Sequence, residues 1–446
     1  MRIRFDDSLP ILTRVIADEL GSDVLQNGVA VRDVAGRLAF FCSDPLDEKA
    51  IERVSQCLRD KLGSYARDDR VLAGGGDIGA NRVLAEPSRV AINVDGQRIH
   101  LLERRLVGAD WLRAPAQPSP PPPRFVFASL KGGVGRSTAL AVTAADLASR
   151  GRRVLVVDLD LEAPGLGPML LDEGTLPAFG TLDALVENGL SGLDDSFLAD
   201  LIGPSALAGG RGRIDVMPAF GQCSLAHPAD ILAKIARAYA EDIDPQGAAM
   251  TFRDQVANLI DRFADPARYD AILIDARAGL HESTAASFLG LGADILLFGL
   301  DEPQTFQGFK ALFGHLVRFA TSDDPAPEWL SRLNLIQGKA PLDVEQRQAF
   351  AERCRRLVAD VGPTPTREVA QPPSPPAEPF GDVPWDDDIS DQNVFADDSW
   401  VLNDPVPVLD DQNYRGFDPF ARHDLLLEGF YGTTFGQLLG LVRNAS

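Results

Sequence analysis

Cysteine is scarce in this chain: four in 446 residues, at Cys42, Cys57, Cys223 and Cys354, with no C-x-x-C pair among them. That scatter argues against a disulfide framework or an iron–sulfur centre and suits free thiols in a reducing cytoplasm. Long hydrophobic runs are missing too. No apolar stretch approaches the ~20 residues that cross a bilayer, and Met1 to Asp7 lacks the apolar core of a signal peptide. The expected location is therefore cytoplasmic. Positive charge is short as well: 43 Lys and Arg stand against 65 Asp and Glu, a formal charge of −22. Non-specific DNA binding, which needs Lys and Arg to neutralise phosphates, is disfavoured. The deficit is uneven, because Glu368 to Asp411 holds twelve acidic residues and no Lys or Arg. A local basic patch on the remainder stays open.

Proline, by contrast, is plentiful and marks the boundaries. Pro115 to Pro123 reads as a semi-rigid extended linker, and a second run from Pro363 to Pro379 opens the acidic segment. The expected division is 1–114, a small α+β domain; 115–123, the linker; 124–362, a larger α/β domain; and 363–446, an acidic Pro-rich tail with closing helices. In the first unit Ile11, Leu12, Val15, Ile16 and Leu20 recur at helical spacing, as do Ile51, Val54, Leu58 and Leu62. Leu38 to Cys42 reads as a strand. Val90 to Val94, Asp95-Gly96 and Ile99 to Leu102 predict a hairpin with a tight type I′ turn. No catalytic constellation stands out there, and a regulatory or partner-binding role is expected. At the far end, Leu425 to Val442 carries apolar residues suited to closing helices. A membrane-surface helix would need basic residues on its polar face, and only Arg443 is available.

Between the proline runs, short apolar strands alternate with helices. The strand candidates are Phe125–Ser129, Val154–Asp158, Ile214–Met217, Ala271–Asp275, Ile295–Leu300 and Leu333–Gln337. Near-continuous Val, Ile and Leu predict a mostly parallel sheet with helices on both faces. Ligands of such sheets bind beyond the carboxyl ends of the strands. Three candidates end in Ser129, Asp158 and Asp275, so one edge should collect a loop and two acids.

The loop is Lys131-Gly132-Gly133-Val134-Gly135-Arg136-Ser137-Thr138, after an apolar strand and before a helical run. Glycines let backbone N–H groups converge on phosphate oxygens, and a helix N-terminus adds partial positive charge. The common pattern G-x-x-x-x-G-K-[ST] fails twice, at Leu130 and at Arg136. What is gained is a lysine at the loop entrance.

This layout resembles the deviant Walker A loop, K-G-G-x-G-K-[ST], of the ParA/MinD-type ATPases, and K-G-G-V-G-R resembles their KGGVGR-motif variant branch. The resemblance runs from Arg124 to about Gly338 and implies a P-loop NTPase fold with ATP and Mg²⁺ as ligands. It implies that Gly132, Gly133, Val134, Gly135 and Arg136 cradle phosphates, that Ser137 ligates Mg²⁺ and that Thr138 contacts the α-phosphate. Lys131 would reach across a nucleotide-sandwich homodimer to the partner's phosphates. In Val156-Val157-Asp158-Leu159-Asp160-Leu161-Glu162, the first acid would touch the Mg²⁺ hydration shell and Asp160 would orient the attacking water. Asp275 would hold metal-bound water, and Gly279 would sense the γ-phosphate. Gln337 stands where a base-contacting residue usually appears. Arg277 departs from the family's D-x-P-A-G form; it would sense phosphate, grip a partner or pair with a carboxylate. Arg136 has two readings: a wider clamp that still grips phosphate while slowing hydrolysis, or a side chain turned outward.

The implied activity is ATP hydrolysis driving an ATP-dependent dimerisation switch that acts on protein partners through the N-terminal domain or acidic tail. The alternatives are a nucleotide-binding scaffold with little turnover, and a DNA or plasmid partition ATPase, which the acidic charge disfavours.

Overall fold

A computed structural model of the chain describes residues 3–104, 108–188, 192–243, 249–320, 327–362, 400 and 402–445. The acidic stretch 363–399 lies outside the described residues.

The N-terminal unit is a five-stranded mixed sheet in the order Leu72–Ala73, Leu38–Phe41, Val29–Arg32, Gln97–Glu103, Val90–Val94. The expected hairpin is present: Val90–Val94 pairs antiparallel with Gln97–Glu103, and Asp95 and Gly96 take φ of 49° and 79°. Positive φ at both central residues is what a type I′ turn demands. Helices Phe5–Leu20 and Glu48–Leu62 bury Leu12, Val15 and Ile16, and Val54, Leu58 and Leu62, against one face of this sheet. The unit leads into a short turn, Ala109–Leu112, whose Trp111 is buried and donates from Nε1 to the His281 carbonyl at 3.1 Å. The proline stretch then runs along the larger domain. The N–H groups of Ala116 and Ser119 donate to the carbonyls of Leu289 and Gly292 at 2.7 and 2.9 Å.

The larger domain is built on an eight-stranded sheet. Its order is Val406–Leu409, Leu333–Ala340, Asp294–Gly299, Arg124–Ser129, Ala271–Asp275, Arg153–Asp158, Arg213–Met217, Gly203–Pro204. All neighbours are parallel except the short terminal strand Gly203–Pro204. All six strands expected from sequence are present. They are double-sided because their side chains alternate between two cores. Val126, Ala128, Leu155, Val157, Ile272 and Ile274 face one core; Phe125, Phe127, Val154, Val156, Ala271 and Leu273 face the other.

Helix Arg136–Ser149 covers the second face. It is rich in alanine (Ala139, Ala141, Ala144, Ala145, Ala148), and these residues are buried because it is packed on two sides. Its outer side is closed by helix Glu428–Ala445, which buries Tyr431, Phe435, Leu438, Leu439 and Val442, spaced i, i+4, i+7, i+8 and i+11. Residues 402–445, read from sequence as part of the acidic tail, thus add an edge strand and a closing helix to the sheet. The closing helix is also held electrostatically. Asp146 of the first helix has a fully buried side chain that accepts from Tyr431 Oη at 2.7 Å and from Arg443 Nε at 2.7 Å. Burial alone would raise its pKa; the hydrogen bonds from Arg443 and Tyr431 outweigh it and hold the carboxyl below its ordinary range.

Candidate functional site

The loop between strand Arg124–Ser129 and helix Arg136–Ser149 opens at the carboxyl edge of the sheet. Gly133 and Gly135 have φ of 74° and 93°, and an added Cβ at either would meet nothing within 4 Å. Glycine is therefore required here by backbone conformation, and the space over the loop is open to a ligand. Val134 is buried beneath it, and its carbonyl would come within 2.4 Å of a Cβ on Gly338. That close approach keeps strand Leu333–Ala340 against the loop. Gln337, next to Gly338, is itself buried in that strand, opposite Gly299.

Register brings the acids together. Asp158 and Asp275 are Cα partners at the ends of adjacent parallel strands, and Asp160 follows two residues on. All three are buried. Asp158 accepts the backbone N–H of Asp160 at 3.0 Å, of Leu166 at 3.1 Å and of Gly165 at 3.3 Å. Burial, reinforced by the charge of Asp275, pushes its pKa up to about 7. Asp275 is also raised by burial, against the opposing pull of Arg136 and Ser137.

Arg136 answers this negative charge. It is the first residue of its helix, where the helix dipole disfavours a cation, and its side chain turns inward, 9% exposed, to the carboxylates. Nε donates to Asp275 Oδ1, Nη2 to Asp160 Oδ2 at 3.2 Å, and Nη1 to Ser129 Oγ at 3.1 Å. Burial alone would lower the guanidinium pKa; Asp275 and Asp160 overcome that and hold it above its ordinary value. The outward turn, one of the two readings from sequence, is therefore not the orientation adopted. Ser137 Oγ donates to the other oxygen of Asp275 at 2.8 Å. Thr138 is half-buried in the same first turn.

At the mouth, Lys131 Nζ lies 2.5 Å from Glu302 Oε2, and the two side chains are 37% and 43% exposed. Gly279 takes φ of 97° and donates its N–H to the Ser129 carbonyl at 2.9 Å. Lys131, Val134 and Gly279 line a cavity of about 400 Å³ with Leu130, Gln304 and Phe309. Arg277 is ion-paired with Glu162, tying the loop after Asp275 to the loop after Asp158. Of its three readings from sequence, the carboxylate pairing is the one the structure contains. Ser129 and Glu302 had no role in the sequence reading. The only signals were a hydroxyl ending the first strand and an acid just after a later one.

The arrangement fits a nucleotide with Mg²⁺ in a specific sense. The glycine cradle is open, and Ser137 and three acids flank it. Among the described residues, however, no group of three or more His, Cys, Asp and Glu is disposed to hold a metal ion.

Residues 125–360, a little over half of the chain, match the family model of the CobQ/CobB/MinD/ParA nucleotide-binding domain. The chain belongs to this family. It is therefore a P-loop NTPase of the ParA/MinD type, as its loop suggested. No curated protein matches the chain. Among solved structures, a ParA family ATPase from Chlorobium tepidum is 20% identical over 53% of this chain and 80% of its own, with a TM-score of 0.34. A cobyrinic acid a,c-diamide synthase from Mycobacterium smegmatis, with bound ADP and magnesium, is 18% identical over 52% and 82%, with a TM-score of 0.35. MinD from Pyrococcus horikoshii, complexed with Mg-ADP, is 22% identical over 43% and 63%, with a TM-score of 0.30. These global likenesses are weak, and the family assignment rests on the sequence match and the site.

The raised pKa of Asp158 predicts a pH dependence. The folded state holds its proton up to about pH 7, whereas the unfolded chain releases it near the ordinary carboxyl value of 3.8. The stabilisation from that proton is complete below pH 4 and is lost as pH rises through 7. Asp158→Asn stays neutral throughout, so its melting temperature relative to wild type rises between pH 5 and pH 8. A gap that shrinks or stays flat across that window contradicts a buried, protonatable Asp158.

Proposed function

We propose that the chain is an ATP-dependent dimerisation switch with slow ATP hydrolysis, acting on protein partners. The observation that carries this reading is the placement of a lysine at the loop mouth, half-exposed beside Glu302, above a buried cluster of acids at the same sheet edge. In this reading the backbone of Gly132 to Arg136 cradles the phosphates, with Thr138 at the α-phosphate. Ser137 would ligate Mg²⁺, with Asp158 and Asp275 on the water side of that site, and the ion would supply charge neutralisation of the phosphates when bound. Asp160 orients the attacking water. Gly279 gives up the Ser129 carbonyl to sense the terminal phosphate, and Lys131 gives up Glu302 to reach the partner's phosphates. Gln337 is assigned to the base side. The protein partner is taken by the N-terminal unit or the acidic segment, and the overall negative charge disfavours partition on DNA.

A scaffold with little turnover is the second reading, and one observation favours slowness: Arg136 holds Asp160, the residue assigned to the water, at 3.2 Å. Phosphate release from ATP over hours separates the two. Wild type should release phosphate, and Asp160→Ala should lower the rate by about 10²-fold or more, the usual cost of a lost general base. Equal release from both proteins makes Asp160 irrelevant, and none from wild type leaves the scaffold.

A further inference from the structure

Where the N-terminal unit joins the larger domain, Asp110 and Trp111 are both buried, and each is fixed from more than one side. The Asp110 carboxylate accepts the backbone N–H of Arg253 at 2.8 Å, and Arg113 pairs with Asp254 at 2.7 Å, so helix Phe252–Phe263 anchors the join. The other contacts go to two different helices. The Asp110 N–H donates to Glu282 Oε1 at 2.7 Å, and the Trp111 indole N–H to the His281 carbonyl at 3.1 Å, at the start of helix Glu282–Gly290. In the last turn of helix Pro303–Leu316, His315 Nε2 donates to the Trp111 carbonyl at 2.6 Å. The indole thus stands between Phe288 of one helix and His315 of the other, with ring centroids 6.5 and 5.7 Å away. Past the join, strand Val90–Val94 lies against the turn Val317–Phe319 that follows the second helix. Arg318 of that turn is 3.5 Å from Glu103, whose side chain is 8% exposed.

Both helices lead back to the mouth of the site. Helix Glu282–Gly290 follows the segment that carries Gly279, and helix Pro303–Leu316 follows Glu302, the partner of Lys131. Its 14 residues, at 1.5 Å each, set His315 about 21 Å from that end. We propose that Trp111 is a strut coupling the nucleotide site to the N-terminal unit, so that a triphosphate at the loop and a partner on that unit alter each other's affinity. This deepens the switch reading and rests on it. When Lys131 leaves Glu302 and Gly279 leaves the Ser129 carbonyl, the two helices shift at their near ends. Close-packed helices move as rigid pieces between discrete arrangements and do not deform continuously. The strut is bonded to both of them while helix Phe252–Phe263 holds its base. A relative shift of the two helices therefore turns the join, and Arg318 carries it to the last strand of the N-terminal sheet. Linkage makes the effect reciprocal: a partner that favours the shifted N-terminal unit tightens nucleotide binding by the same factor.

Hydrogen exchange reads this coupling without turnover and without a known partner. In the full chain, a saturating non-hydrolysable ATP analogue should change the exchange rates of amides in residues 90–103 by about fivefold or more, the low end of coupling between sites. Trp111→Phe keeps an aromatic ring and loses the indole donor; His315→Phe keeps a ring and loses the bond to the Trp111 carbonyl. Each should still bind the analogue, while the change in residues 90–103 falls to less than about twofold, below the range of coupled sites. Circular dichroism checks the fold, and either variant serves if the other does not fold. No change in wild type overturns the proposal. So does a change that persists in a folded variant, because protection by chain assembly alone needs no strut. A wild type that does not bind the analogue fails the nucleotide-site reading instead.

Discussion

Arg136→Met lowers the unfolding free energy by about 3–5 kcal/mol, the usual cost of removing one partner from a buried ion pair. The physical reason is the asymmetry of burial. With the guanidinium present, Asp275 and Asp160 have a cation between them, and both are under a tenth exposed. Without it, these two carboxylates repel one another in a low-dielectric site where water cannot screen them. At about 2–4 °C per kcal/mol for domains of a few hundred residues, the melting point should fall by roughly 10 °C. Adding Asp275→Asn to Arg136→Met should restore part of the loss, because it removes one orphaned charge. Thermal unfolding followed by circular dichroism reads both effects. A shift below about 2 °C for Arg136→Met would mean that the guanidinium is not buried among the acids.

Lys131→Ala has the opposite profile: almost no effect on stability and a large one on assembly. Its ion pair with Glu302 is more than a third exposed on both sides, and such pairs contribute about 0–1 kcal/mol. The fold should therefore melt within about 2 °C of wild type. Across a dimer interface, the same ammonium would meet a phosphate away from bulk water. Losing a buried charged contact there costs about 2 kcal/mol or more, a dimer weakened ~30-fold or beyond. Sedimentation velocity over a range of ATP concentrations should show the variant as a monomer while it still binds nucleotide. A variant that dimerises as wild type does would remove Lys131 from the interface.

How much of this was legible beforehand follows from what each feature depends on. The six strands could be read because local apolar runs, ending in Ser129, Asp158 and Asp275, report burial on both faces directly. The hairpin at Asp95-Gly96 was legible for the same local reason. The edge strand Val406–Leu409 was not, since Val-Pro-Val-Leu is short, contains a proline and becomes a strand only by docking on Leu333–Ala340. The closing helix was foreseen as a helix, but its seat on the alanine-rich helix was not. That seat depends on Asp146, Tyr431 and Arg443 meeting across nearly three hundred residues. The site divides likewise. Loop, acids and the Arg277 carboxylate pairing came from motif and charge. The inward turn of Arg136 depends on three partners from separate strands and loops, Ser129, Asp160 and Asp275, and no spacing rule contains it. Glu302 was overlooked because an acid after a strand has no meaning until Lys131 is placed beside it.

ATP should join two chains at this site, and static light scattering reads the resulting change in mass. Without nucleotide the protein should have a mass near 48.0 kDa, that of one chain. With ATP and Mg²⁺ it should approach twice that value, with ADP it should return to one, and Lys131→Ala should stay at one throughout. A wild-type mass that ATP does not change would rule out nucleotide-driven dimerisation, and a doubled mass that survives Lys131→Ala would remove the lysine from it.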